Sequence, residues 1–285
     1  ATATATALDI VRRGLPPSTG ARKRVVIVGA GMAGLAAAEA LLRAGHDPVL
    51  LEAQQRMGGR IYTMREPFAP GLYAEAGAMR IPRAHRLTLA YVEKFGLPTF
   101  DFTMNNPNAW CHLFGRKHRM ADIAAHPELL EADLPAGERG TTVGRMWEAA
   151  LRPFVDRLQA AGDDAWPEII AKYDVYSTRE FLEETGWSEA AIELFGLLMN
   201  QESLMNASFL ELLREEVGHC YVDMVQIAGG MDQLPLGFLP TLKDRIRFGA
   251  GVDCGLQPAT SADVGEEVRA PDVGLLLGVR RLAAL

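Results

Sequence analysis

Cysteine is scarce. The three present, Cys111, Cys220 and Cys254, are scattered and odd in number. No Cys-x-x-Cys pair occurs, so neither a disulfide framework nor a zinc site follows, and no metal is expected. Positive charge is in deficit too. The net charge of −7 argues against a general binder of nucleic acid or anionic membrane, since both need clustered positive charge. No apolar run is long enough to cross a bilayer. The longest, Val25 to Ala38, is glycine-rich and runs into Glu39, short of the roughly 20 residues a membrane helix needs. The Ala-Thr repeat at the N-terminus lacks the basic region and apolar core of a signal peptide. It also lacks an initiator methionine, which leaves room for a removed upstream segment. The compartment stays open: cytoplasmic by default, with secretion still allowed.

What is present is a core. The chain has 285 residues, 48% of them hydrophobic, enough for two domains or one large α/β domain with an insertion. Its organising stretch is Val25-Val26-Ile27-Val28, which runs into Gly29-Ala30-Gly31-Met32-Ala33-Gly34 and an Ala-rich helical run to Leu42. Gly29 permits the tight turn off the strand and Gly31 lets backbone approach a pyrophosphate. Gly34 allows close helix–strand packing, and the helix opened by Met32 and Ala33 aims its free N–H groups at phosphates. Gly45 stops the helix. A second strand, Pro48 to Leu51, ends on Glu52, about 20 residues past the glycines, where a carboxylate can accept hydrogen bonds from an adenosine ribose. The pattern predicts a dinucleotide site, in preference to a glycine-rich turn of an unrelated α/β protein.

Directly after Glu52 and Ala53 come Arg56, Gly58, Gly59 and Arg60. In isolation this could be a solvated basic turn. After a ribose-binding acid, Arg60 reads as a pyrophosphate contact. Residues 1–23 read as a leader with a short amphipathic turn near Leu8–Val11. Further on, Pro82 is expected to open a helix lined by Leu87, Tyr91, Val92 and Phe95 and ended by Gly96. Arg116-Lys117-His118-Arg119 reads as a solvated basic hairpin tip. Residues 122–217 read as helical. Val143, Met146, Trp147, Ala150, Leu151, Phe154 and Leu158 form one stripe, kinked at Pro153, and Ser177 with Glu180 forms a capping box. Val225-Gln226-Ile227 reads as a strand, followed by a helix to about Lys243.

These motifs resemble the FAD-dependent amine oxidases. The glycine fingerprint followed by Glu52-Ala53-x-x-Arg56-x-Gly58-Gly59-Arg60 carries the likeness to the family. The L-amino-acid oxidase branch is resembled through Glu75-Ala76-Gly77-Ala78-Met79-Arg80-Ile81-Pro82, Asn108-Ala109-Trp110, Tyr176 to Leu182, and Gly229-Gly230-Met231-Asp232-Gln233-Leu234-Pro235. The likeness spans roughly residues 8 to 252. It implies a Rossmann-like α/β FAD-binding domain with part of a mixed α+β substrate domain and a helical insertion. The corresponding segments are a leader (1–23), FAD-binding (24–65), substrate-binding (66–121), helical (122–223), a return to the FAD domain (224–252) and an atypical tail (253–285).

The resemblance implies FAD as cofactor, and an amino acid and O2 as small-molecule partners. The implied reaction is oxidative deamination to a 2-oxo acid, ammonia and hydrogen peroxide. It implies Arg80 as the cation for the substrate carboxylate, with Gly77, Ala78 and Met79 along the flavin ring, and Val252 at the adenine end. Arg214 and His219 are weaker substrate candidates, since a helix-terminal cation commonly serves the helix dipole. No catalytic residue is assigned.

The chain departs from that family by stopping early. Its tail, residues 253–285, contains no aromatic residue, Lys or Ile and is expected to be a frame-shifted, unevolved segment. The chain as given is thus expected to be truncated, with little turnover of its own. The alternatives are a catalytically silent FAD-binding fragment or subunit, completed by a homo-oligomer or a complementing C-terminal chain, and a monoamine or polyamine oxidase.

Overall fold

A computed structural model of the chain describes residues 2–130, 134–252 and 274–276. Two compact units emerge: one holds the chain up to Phe102 and resumes at Asp223, and the other is Thr103–Val222.

The first unit is an α/β fold. It begins with helix α1 (Thr2–Arg13), where a leader with one amphipathic turn was expected. Val11 of α1 is buried and Leu8 packs against the same core, so this segment is built into the unit. Strand β1 (Arg24–Val28), helix α2 (Met32–Arg43) and strand β2 (Asp47–Glu52) follow. β1 and β2 pair in parallel, with Val25 opposite Pro48 and Ile27 opposite Leu50. The period of two puts Val25, Ile27 and Leu50 into one core with Leu35 and Ala38 of α2.

After the short strands β3 (Thr63–Met64), β4 (Ala74–Glu75) and β5 (Ile81–Pro82) comes α3 (Arg86–Lys94), then β6 (Thr99–Asp101). Pro82 therefore does not open the helix. It lies in β5, buried, opposite Met224, and Leu87, expected on the inner face, is exposed. Lys94 at the end of α3 holds the buried Glu39 of α2, with both carboxylate oxygens 2.6 Å from Nζ.

The second unit opens with the antiparallel hairpin β7 (Trp110–Leu113) and β8 (Arg116–Arg119). The four basic positions are thus a strand, and the tip is Phe114-Gly115. Cys111 and Leu113 of the hairpin pack on the core of this unit, so residues 103–121 fall with the helices instead of the substrate-binding segment. Helices α4 (Met120–Ala125), α5 (Val143–Ala161), α6 (Trp166–Tyr173), α7 (Thr178–Glu184), α8 (Glu189–Leu198) and α9 (Phe209–Val217) complete it. Val143, Trp147, Leu151 and Phe154 are buried along α5, which continues through Pro153. The Ser177–Glu180 capping box forms in both directions. At the centre the Phe181 and Phe209 rings stack at 3.7 Å.

The chain then returns through β9 (Met224–Ile227), which lies between β5 and β6. The helix expected to reach Lys243 is split into α10 (Gln233–Leu236) and α11 (Leu239–Leu242). Gly237 sits where a Cβ would come within 2.3 Å of the Phe95 ring, and Pro240 has no N–H to continue the ladder. β10 (Ile246–Phe248) adds in parallel to β2, and β11 (Gly274–Leu276) adds in parallel to β1. The order is β10-β2-β1-β11. Part of the tail, expected to carry no built structure, thus supplies a strand; the rest of 253–285 lies outside the described residues.

All four tryptophans, Trp110, Trp147, Trp166 and Trp187, belong to the second unit, so tryptophan fluorescence reports that unit alone. Phe209 is fully buried, and Phe209→Ala removes a stacked ring. We expect fluorescence-detected urea unfolding to shift by ~3–5 kcal/mol. A shift under ~1 kcal/mol would show that the site collapses around the deletion.

Candidate functional site

The site is built where side chains are missing. Gly29 leaves β1 with a φ of +93°, a conformation that glycine adopts freely, and its N–H donates to the Leu51 carbonyl at 2.7 Å. A Cβ on Gly34 would stand 2.1 Å from the Gly29 carbonyl oxygen, so the first turn of α2 closes onto the strand only with glycine there. Gly31 has no side chain to cap the helix. The first-turn N–H groups of α2 thus lack a side-chain partner, and Met32 and Ala33 border an open groove of about 1190 Å³.

The second wall comes from the double-glycine turn. Gly58 donates its N–H to the Ala30 carbonyl at 2.8 Å, and a Cβ on Gly59 would lie 3.3 Å from the Gly31 Cα. Arg56 and Arg60 have different jobs. The Arg56 guanidinium turns inward, donating to the carbonyls of Gly59 at 3.0 Å and Ile61 at 3.1 Å, and it lies over the Tyr62 ring. It staples the turn. Arg60 is exposed on the groove wall.

Glu52 stands at the end of β2, buried. Its carboxylate accepts the Ala30 N–H at 2.7 Å and the Gln54 N–H at 2.8 Å. One bond reaches each oxygen, so acceptor capacity remains on both. Ala53 follows at the surface. The returning chain passes this point: Ala250 N–H donates to the Glu52 carbonyl at 3.0 Å and Gly249 N–H to that of Gln54 at 3.2 Å. Val252 lies two residues on, exposed, and does not border the groove.

The third wall is Ala76 to Ala78, which runs beside Arg60 to Tyr62. Ala76 N–H donates to the Tyr62 carbonyl at 2.8 Å and Ala78 N–H to that of Arg60 at 3.2 Å. Gly77 sits between them, where a Cβ would be 2.0 Å from the Arg60 carbonyl oxygen. Met79 is exposed and Arg80 half-buried. The Arg80 guanidinium carbon lies 5.5 Å from the centroid of the Phe102 ring, within cation–π range.

A polar network fixes this wall from behind, and sequence reasoning did not find it. Glu75 accepts the Met231 N–H and the Thr63 hydroxyl, both at 2.7 Å. Thr63 accepts the Asp232 N–H at 3.1 Å. Arg65 forks onto the two Asp232 carboxylate oxygens and also donates to the Gly229 carbonyl. The available signal was the pairing of two motifs read separately, Glu75 to Pro82 and Gly229 to Pro235.

Arg214 and His219 belong to the other unit. Arg214 lies with its guanidinium carbon 5.9 Å from the centroid of the Trp166 ring. His219 follows the end of α9, its N–H donating to the Glu216 carbonyl.

An elongated anionic dinucleotide fits these features: uncapped helix N–H groups, glycines that admit backbone approach, and a fixed carboxylate at the strand end. The groove also exceeds the usual volume of a small-ligand site.

Comparison with known proteins agrees with that geometry. Residues 32–254 match the flavin-containing amine oxidoreductase family. An L-amino-acid oxidase of Protobothrops flavoviridis is 36% identical over 94% of this chain and 53% of its own length. One of Sistrurus catenatus edwardsii is 38% identical over 84% of the chain and 46% of its own length. The chain therefore spans about half the length of these relatives. The first match covers more than residues 1–252 could supply, so it takes in part of the tail expected to follow no family pattern. Among solved structures, cyclohexylamine oxidase from Brevibacterium oxydans shares the fold at a TM-score of 0.55 and 22% identity, covering 81% of this chain and 51% of that one.

Glu52→Ala would leave the N–H groups of Ala30 and Gln54 without their acceptor, at ~1–3 kcal/mol for an unsatisfied buried group. Flavin content of the purified variant should fall clearly, with Glu52→Gln intermediate. Full retention by the alanine variant would remove Glu52 from the site.

Proposed function

The chain belongs to the flavin-containing amine oxidoreductases, and we propose that it is the FAD-binding, substrate-arginine portion of an L-amino-acid oxidase. The reaction converts an L-amino acid, O2 and water to a 2-oxo acid, ammonia and hydrogen peroxide. The cofactor is FAD. When bound, FAD would supply the redox chemistry of this oxidation, while the protein's residues bind and orient cofactor and substrate.

The protein's own residues hold and orient. Glu52 receives the ribose hydroxyls, and the N–H groups at Met32 and Ala33 take the pyrophosphate beside exposed Arg60. Gly77 and Ala78, which line the groove, would lie along the ring system, with exposed Met79 next to them. Arg80 then binds the substrate carboxylate, and this assignment carries the reading. Its contact with Phe102 places the guanidinium over an aromatic ring, and the planar fork of an arginine matches a carboxylate with two parallel hydrogen bonds. A carboxylate entering a dry pocket needs such a partner, because burying it unpaired is prohibitive. The identity of 36% and 38% with proteins named L-amino-acid oxidases supports the same substrate class. An amine without a carboxylate would make no use of Arg80.

The test is kcat/KM for an amino acid and for its decarboxylated amine, measured on the chain extended with the C-terminal half of an L-amino-acid oxidase. Arg80→Ala should cost ~3 kcal/mol or more on the amino acid, on the scale for breaking a buried charged pair, and far less on the amine. Arg80→Lys, which keeps the charge and loses the fork, should fall between. Equal losses on both substrates would assign Arg80 to the flavin or the fold.

A further inference from the structure

The β7–β8 hairpin is unused by this reading and differs from its surroundings. In a chain of net charge −7, no acid lies between Asp101 and Asp122, while Arg116, Lys117 and Arg119 supply cations. Its two faces are separated by the strand period. Cys111 and Leu113 face the hydrophobic core, so the hairpin is held from beneath. Trp110, His112 and Lys117 face out and are exposed, with Trp110 directly opposite Arg119 in the register. The Trp110 ring is 54% exposed and is covered by Arg119, 3.6 Å from its centroid, and by Lys117 at 4.5 Å. Arg119 also donates to the Asn108 carbonyl, which fixes it. At the tip, Phe114 takes a φ of +51° and is 53% exposed.

We propose that this hairpin is an anchor for an anionic lipid surface, with Phe114 and the Trp110 edge entering the headgroup layer and the cations meeting lipid phosphates. Trp and Phe beside Lys and Arg are the side chains that gain from a boundary with one apolar and one charged side. A nucleic acid fits less well, since cations already occupy the Trp110 ring that a base would stack on. A hydrophilic polyanion would give Phe114 nothing to bury. The overall acidity that spoke against an anionic-membrane binder is not shared by the hairpin's own strands, where Asp122, accepting the Arg119 N–H at 3.3 Å, is the neighbouring acid, and more distant charges are screened beyond about 10 Å at ordinary salt.

Sedimentation with phosphatidylcholine vesicles, with and without phosphatidylserine, tests this on the full chain. Binding should require phosphatidylserine, weaken with salt, and shift the tryptophan emission to the blue, a shift lost in Trp110→Phe. Lys117→Glu should weaken partition by roughly thirtyfold, from the loss of one attraction and the gain of one repulsion. Phe114→Asn, which suits the left-handed backbone, should weaken it by about tenfold. Both positions are exposed and Lys117 gives up only an exposed cation–π contact, so fluorescence-detected unfolding should shift by no more than ~1 kcal/mol. Failure to bind phosphatidylserine vesicles at low salt would overturn the proposal. So would wild-type binding by Phe114→Asn, or binding to heparin or single-stranded RNA without binding to vesicles.

Discussion

The groove of the first unit depends on backbone lying so close to backbone that a methyl group clashes at Gly34 and Gly77 and is tightly crowded at Gly59. At Gly34 the obstacle to a Cβ is the Gly29 carbonyl, at Gly77 the Arg60 carbonyl, and at Gly59 the Gly31 Cα. These contacts bring helix α2, the double-glycine turn and the Ala76–Ala78 segment together without side chains between them. The groove is the space that results. Glycines and alanines supply much of its lining, Gly31, Ala33, Gly58, Gly59, Ala76, Gly77 and Ala78, and at these positions there is no side-chain rotamer to reorder on binding. Such preorganisation lowers the ordering cost of binding.

A wall of bare backbone needs support from elsewhere, and here the support is polar. Glu75, Thr63, Arg65 and Asp232 interlock, so the return segment Gly229–Asp232 is fastened to strands more than 150 residues earlier in the chain. The lone pairs and donors of such a network must be matched almost completely, since an unmatched member costs more than the average bond returns. That condition gives the polar residues of the two motifs a structural role at positions that do not border the groove. Arg56 follows the same logic on a smaller scale: its charge is spent on three carbonyls of its own turn.

The legibility of the sequence divides along this line. Strand β1, the glycine turn, α2 and β2 could be read because their signals are local: a β-branched run, glycines at fixed offsets, an acid at a strand end. The α5 stripe and the Ser177 cap are equally local. Docking of α1 could not be read, because the burial of Val11 is decided by helix α3 and not by its neighbours in sequence. Pro82 was misplaced for the same reason: proline at a helix start is a sound local rule, but pairing with Met224 across the sheet overrides it. The division of labour between Arg56 and Arg60 was likewise invisible, since two arginines flanking two glycines look symmetric until the turn's carbonyls are placed.

The same distinction bears on the insertion. The first unit is closed at the points where the chain leaves and returns, because Arg83 pairs with Asp101 on one stem and Asp223 on the other. These pairs are exposed and contribute little to stability, but together with β9 between β5 and β6 they set the two stems side by side. A unit whose stems are joined in this way does not need the insertion to complete its own sheet. The insertion has its own aromatic core, in which Phe154, Phe181 and Phe209 meet edge and face. The hairpin rests on that second core through Cys111 and Leu113, and this packing does not call for the exposed Trp110, Phe114 and Lys117.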